Sequence, residues 1–410
     1  MRSPSPPDGL FESRYGLVDA LRGLAALAVV LAHVHVTPGS DRMVFGFGYE
    51  AVLVFFVISG YCIAATARSS LERGFAFRDF MWRRFRRIFP PYLFAIGFWA
   101  ATRVAKGISG GPWDIDRPMI DWLQNVTLTQ WTSLLWHPIN SAAENPKLFV
   151  AAFWSLCYEE QFYLVMAGLL LLSGWFPRAV LVGSVALMAG GIAWGAAYPT
   201  VKFGVFIEYW AAFATGLLAF HRLCVLQAAW ARRAIDATLL AVCVGCGVVA
   251  WGLGIAWKAP PGIPATDAVV CSWSSLSIAA AMALALVVLR PLDARYRAFR
   301  PVSVPMAALA RISYSLYLTH QFCLSFSDGI ARRVASGVGF GGNRALECVL
   351  QVGVLVAVAS VFWWFFERPF LNTVRPGAAR RIGRRVWATF AVAGARVRWA
   401  ALRIRGADAH

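Results

Sequence analysis

The sequence predicts an all-α membrane protein, a polytopic bundle of about ten transmembrane helices with both termini cytoplasmic. Three observations carry that expectation. Hydrophobic residues make up 59% of the 410 and charged residues only 15%, against about 25% charged in soluble domains. Apolar runs near the ~20 residues needed to cross a bilayer recur along the whole chain. The net charge of +18 is spread over short segments between those runs rather than over one face. That distribution fits the positive-inside rule and argues against a nucleic-acid partner.

The apolar runs fall at 17–36, 47–66, 90–106, 149–172, 178–197, 203–221, 236–257, 268–289, 306–326 and 346–366, the third being the shortest. If the N-terminus is inside, and Arg103, Lys106 and Arg178 at run ends are counted to the adjoining side, 27 of the 39 Lys and Arg residues fall on the cytoplasmic side and ten on the other, with Arg22 and Arg311 inside spans. Residues 1–16 form a polar, Pro- and Ser-rich segment, too long for a signal-peptide n-region, so the first apolar run is expected to be an uncleaved helix. The membrane domain is expected over 17–372. In the basic segment 373–410, Arg380, Arg381, Arg384 and Arg385 interleave with Trp387, Phe390 and Trp399. That pattern suits an interfacial helix on anionic lipid, and equally a solvated basic tail. Gly107–Leu148 is expected as the one long outer loop. Cys243 and Cys246 form a C-x-x-C without a second pair or a nearby His, so they read as small helix residues and no metal site is expected.

Ionisable residues inside a bilayer are costly and propose function. The first run holds Asp19, Arg22 and His33. Eleven residues at 100° each return to within about 20°, so Arg22 and His33 share a face, roughly 16 Å apart. A snorkelling Arg with an interfacial His would give the same pattern. The fourth run opens FWSLCYEEQFY, with Trp154, Ser155 and Glu159. Glu159 is expected in the outer half, where it would orient His33 as a general base or pair with an arginine purely to hold helices together. The ninth run places Tyr314, Tyr317 and His320 along one helix, for catalysis or for interhelical hydrogen bonding. Arg83, Arg84, Arg86 and Arg87 cluster in the second interhelical segment. Guanidinium forks suit phosphate, although a positive-inside signal explains the cluster as well.

In order, the motifs are Asp19-x-Leu21-Arg22-Gly23 with His33, then Phe55-Phe56-Val57-x-Ser59-Gly60-Tyr61, then Arg83, Arg84 and Arg87 before Pro90 and Tyr92. Trp154-Ser155-Leu156-x-x-Glu159 with Phe162 and Tyr163, Ser313 to His320, and Glu367-Arg368-Pro369 follow. This series resembles acyltransferase family 3 of bacterial membrane proteins, from residue 17 to 370. The second element departs from the family's pattern in having Ala51, Val52 and Leu53 before it, with Glu50 nearby.

The resemblance implies a stand-alone multi-pass enzyme of the bacterial cytoplasmic membrane. It would move an acyl group, most simply acetyl from acetyl-CoA or another acyl-CoA, to a hydroxyl of an extracytoplasmic or lipid-linked carbohydrate such as an exopolysaccharide or O-antigen. Arg83, Arg84, Arg86 and Arg87 would hold the CoA phosphates with Arg22 beside them. His33 would deprotonate the acceptor or carry the acyl group, and Glu159 would steady the imidazole. Asp19, Ser59, Trp154, Ser155, Tyr314, Tyr317 and His320 would support them. The competing class is a transporter or flippase for a polysaccharide precursor or small solute. It would be marked by internal repeats and interrupted helices, neither of which the sequence displays.

Overall fold

The computed structural model describes residues 15–34, 44, 46–72, 76–110, 115–139, 145–176, 178–198, 201–256 and 268–371. The polar N-terminal segment before Tyr15 and the basic segment 373–410 lie outside the described residues. Among those described the regular structure is helical, in chain order α1 (Gly16–Leu31), α2 (Gly48–Glu72), α3 (Ala76–Ile108), α4 (Met119–Thr127), α5 (Thr132–Trp136), α6 (Trp154–Leu172) and α7 (Ala179–Ala197). There follow α8 (Ile207–Phe220), α9 (Ala229–Ala256), α10 (Ala268–Leu289), α11 (Asp293–Ala298), α12 (Arg300–Gly337) and α13 (Arg344–Phe362).

Each expected apolar run coincides with a helix. Among the described residues, seven helices are long and apolar enough to cross a membrane: α2, α3, α6, α7, α9, α10 and α13. The other three fall short for different reasons. Helices α1 and α8 have only 16 and 14 residues, and the 38-residue α12 is diluted by Ser, Tyr, Thr, His and Gln as well as its charged residues. Helix α8 is buried on every side from Tyr209 to Phe220, which is how an all-round apolar helix behaves at the centre of a bundle. Large apolar side chains such as Leu240, Val248 and Trp251 on α9 and Val349 and Val361 on α13 face outward, as lipid-facing surfaces require.

Two devices hold the centre. Helices α2 and α8 cross at Gly60 and Gly216, and a Cβ at either would lie 2.0 Å from the Phe213 carbonyl oxygen or 1.8 Å from that of Val57. Small residues permit such backbone approach. The start of α1 is fixed by Asp293, whose carboxylate accepts from the Leu17 amide at 3.1 Å and pairs with Arg290 and Arg297 at 3.1 and 3.0 Å. An anion at a helix N-terminus satisfies its orphan amides and its dipole.

Two expectations are corrected. Helix α3 begins at Ala76, well before 90, so the arginine cluster is helical rather than part of a loop. Its 33 residues give roughly 50 Å, far more than the hydrocarbon core, and the arginine turn precedes Pro90 and Pro91 within it. The outer segment is also not an unstructured loop. Its described residues include α4 and α5, folded around the buried Asn125. The Asn125 carboxamide oxygen accepts from Phe149 N at 3.0 Å and Gln130 Nε2 at 2.9 Å, while its nitrogen donates to the Asp121 and Lys147 carbonyls at 2.8 and 2.6 Å. The C-x-x-C of α9 serves packing at one end, where the Cys243 carbonyl accepts from Ser277 Oγ on α10 at 2.7 Å.

Candidate functional site

Helices α1, α2, α3, α6 and α12 enclose a cavity of ≈ 720 Å³, counted with its open mouth. Its cationic lining is Arg22, Arg84 and Arg87. Opposite stand Ser59, Ser155, Glu159 and Tyr163, with Tyr314 and Tyr317 from α12 and a floor of Phe55, Phe56 and Ile88.

Each arginine is seated by its helix. Arg84 and Arg87 are three residues apart and share a face of α3. Arg84 donates to Thr66 Oγ1 at 2.5 Å and its guanidinium carbon lies 5.7 Å from the centre of the Tyr163 ring, while its Nε is buried with no acceptor among the described residues. Arg22 donates to the Cys62 sulfur at 2.9 Å. Arg83 pairs with Asp79 at 3.0 Å, and neither Arg83 nor Arg86 lines the cavity. Asp19 touches Arg22 only at 3.5 Å from a position 40% exposed, so solvent screens it. Tyr314 does double duty: it lines the cavity, and its hydroxyl donates to the Ile88 carbonyl at 3.0 Å, tying α12 to the turn of α3 just before the prolines.

Two carboxylates oppose the arginines. Glu159 Oε1 accepts from Ser59 Oγ at 3.0 Å and from the Tyr163 hydroxyl at 2.5 Å. Glu367 is buried, accepts from the Ser315 amide at 3.1 Å and hydroxyl at 2.5 Å, and acts electrostatically on Arg87 and Arg22. On the lining itself three guanidiniums meet one carboxylate, Glu159, with Glu367 behind it and Asp19 beside Arg22 offsetting part of the charge, so the wall is positive, the sign a polyanion needs.

The histidines stand apart from this cavity. His33 follows the last turn of α1, and its Nδ1 lies 2.8 Å from the Val29 carbonyl. His320 on α12 is fully buried, with Nδ1 2.8 Å from the Tyr317 carbonyl and Nε2 without a hydrogen-bond partner among the described residues. The two rings meet edge to face at 4.8 Å. A carbonyl accepts only, so in the neutral rings each Nδ1 carries the proton and each Nε2 keeps its lone pair. Tyr317 bridges the regions. It lines the cavity, its ring lies 5.9 Å from that of His320, and its hydroxyl donates to the Ala152 carbonyl. The Ser155 hydroxyl, 2.7 Å away, therefore donates to Tyr317.

Glu159 was expected beside His33. Its hydrogen-bond partners are instead Ser59 and Tyr163, in the arginine cavity. The level linked to the histidines through Tyr317 is that of Ala152 and Ser155, and Glu159 lies four to seven residues further on, roughly 6–10 Å deeper. Trp154 also stays off this lining and packs into an aromatic cluster with Tyr49, Phe56, Tyr158 and Tyr209. Cys62, Tyr163 and Glu367 were given no site role from the sequence, although the last two belong to its motifs. Tyr163 had a usable signal, being four residues from Glu159 on the same helical face, as had Glu367 in a closing Glu-Arg-Pro. Cys62 had none.

The profile of a family described as "Acyltransferase domain" matches residues 16–367. The chain is 31% identical over 192 residues, 46% of its own length and 93% of the relative's, to "Protein 2 in picA locus" of Rhizobium radiobacter. It is 42% identical over 76 residues, 18% of its own length and 22% of the relative's, to an "O-acetyl transferase" of Shigella phage Sf6. No solved structure matches.

Proposed function

The chain belongs to acyltransferase family 3 and is an O-acyltransferase, and from that premise we propose that it moves an acetyl group from acetyl-CoA to a hydroxyl of an extracytoplasmic or lipid-linked carbohydrate. The observation that carries this reading is the arginine cavity leading through Tyr317 to the histidine pair. The positive lining suits the phosphates of an acyl-CoA, with Arg22, Arg84 and Arg87 as their partners. In this reading the protein crosses a bacterial cytoplasmic membrane ten times with both termini, and the arginine turn of α3, on the cytoplasmic side, and the lysine and arginine asymmetry supports that orientation. The thioester then extends past Ser155 and Tyr317 toward His33.

The His33 Nε2 lone pair takes the proton of the acceptor hydroxyl as its oxygen attacks the thioester carbonyl. The carbon–sulfur bond breaks, and the CoA thiolate leaves and takes the proton from the imidazolium. One ester and one CoA thiol form, and His33 returns to its starting state. Glu159 holds Ser59 and Tyr163 and balances the arginines rather than touching the imidazole. His320 buttresses His33, and Asp19 offsets part of the Arg22 charge from a partly exposed position outside the cavity lining.

The test is radiolabelled acetyl-CoA with the protein in proteoliposomes and de-O-acetylated oligosaccharides from the producing cell's surface polysaccharide. Labelled oligosaccharide with stoichiometric CoA thiol is expected. Transport of the oligosaccharide without label transfer would overturn the reading.

A further inference from the structure

A second recess, ≈ 480 Å³ counted with its open mouth, lies at the end of the bundle where α1 finishes and α2, α8 and α10 begin. It shares no lining residue with the arginine cavity. Its walls present four aromatic rings, Tyr49, Trp194, Tyr198 and Tyr209, together with Lys202 and Glu208.

The polar groups here are built in. Glu208 accepts from the Tyr158 hydroxyl at 2.5 Å and from the Phe203 amide at 2.5 Å. Lys202 sits with its Nζ 5.0 Å from the centre of the Tyr209 ring, and its backbone pairs with Ile139 at 2.7 and 3.1 Å. The Trp194 indole N–H is buried with no acceptor among the described residues. A buried donor of that kind calls for an explanation, and a ligand or water oxygen supplies one. The α7 wall is cut back at Gly195, where an added Cβ would meet no heavy atom within 4 Å. Ring contacts continue inward, Tyr209 to Trp154 at 5.5 Å and Trp154 to Phe56 at 6.2 Å, and Phe56 lines the arginine cavity.

We propose that this aromatic cavity is the acceptor subsite and takes one sugar ring of a carbohydrate. The proposal rests on the acyltransferase reading and deepens it. A pyranose has apolar C–H faces, which stack on aromatic rings, and a rim of hydroxyls that both donate and accept. Glu208 accepts from such a rim, and Lys202 and Trp194 Nε1 donate to it. Paired charges of both signs suit a neutral, hydroxylated ligand, whereas the arginine cavity suits a polyanion. A lipid tail would need no carboxylate and no indole donor.

Two variants test it. Gly195→Leu fills the cavity from a position with open space, and Trp194→Phe keeps the ring and removes the donor. Proteoliposomes carrying each are titrated with the de-O-acetylated oligosaccharide at saturating acetyl-CoA, and tritium-labelled oligosaccharide binding is measured by equilibrium dialysis without acetyl-CoA. Gly195→Leu should raise the oligosaccharide KM and Kd tenfold or more, and Trp194→Phe by roughly 2- to 12-fold, the worth of one hydrogen bond. The KM for acetyl-CoA should not change. Unchanged oligosaccharide constants in both variants overturn the proposal, as does an equal rise in both substrates' constants. A wild-type protein that binds the oligosaccharide but transfers no label upholds the subsite and overturns the acetyl-transfer reading. One that neither binds nor transfers overturns both.

Discussion

Arg87 offers the sharpest separation of binding from folding. It lines the cavity, and the charges that act on it include Arg22 and Arg84, two like-charged neighbours, with Glu367 on the other side. Burying clustered cations opposes folding, so their retention points to a ligand. Arg87→Ala removes a repelled charge and deletes no hydrogen bond described for the folded protein, so its Tm should stay level or rise. A hydrogen bond to a charged group is worth about 1.5–3 kcal/mol, which at 1.4 kcal/mol per decade predicts a 10- to 150-fold rise in the acetyl-CoA KM. Arg84→Ala should differ, because it also removes the bond to Thr66 and the contact with Tyr163, lowering Tm as well as donor affinity. The assay is thiol release from acetyl-CoA in proteoliposomes, with unfolding followed by fluorescence. An unchanged KM for Arg87→Ala, or a KM rise accompanied by a Tm loss equal to that of Arg84→Ala, would refute the reasoning.

His33→Ala should lower kcat by about 10²-fold or more while leaving the acetyl-CoA KM unchanged, since His33 does not line the arginine cavity; the same thiol assay reads both. Gly60→Ala and Gly216→Ala each drive a methyl into a backbone carbonyl and should cost about 1–3 kcal/mol or more, seen as a lower Tm, whereas Gly97→Ala, inside α3 where a Cβ meets nothing within 4 Å, should leave Tm level or slightly raised. Asn125→Ala leaves the Phe149 amide and Gln130 without their acceptor. At about 1–3 kcal/mol per orphaned group it should destabilise the α4–α5 segment, measurable as faster hydrogen exchange at Phe149 than in the wild type.

Hydrophobic runs and motif order made the helices and much of the cavity legible. Arg22, Ser59, Arg84, Arg87, Ser155, Glu159, Tyr314 and Tyr317 were all singled out and all line one space. Periodicity fixes which face of a helix a residue occupies, but not its depth relative to a neighbouring helix. That depth follows from crossing points such as Gly60 on Gly216, which involve residues 156 apart in sequence. For this reason Glu159 was set against the wrong partner. The helical extent of α3 was hidden because its arginines and prolines read locally as a loop, while a long helix accommodates both when its charged turn lies beyond the apolar stretch. His33 and His320 were each visible, but their contact needs α1 laid along α12, which no local pattern reports.

Helix α2 lines both cavities, with Tyr49 and Leu53 in the aromatic one and Phe55, Phe56, Ser59 and Cys62 in the other. It is also the sole element they have in common: α1, α3, α6 and α12 complete the first, and α7, α8, α10 and the segment around Lys202 complete the second. The molecule thus divides along a party wall. Changes of residue on α7 or at the start of α10 can remodel one chamber while the guanidinium chamber keeps its shape. If the two chambers serve acceptor and donor as proposed, a lineage of such proteins can diversify what it modifies without renegotiating how it draws on the cell's activated acyl groups.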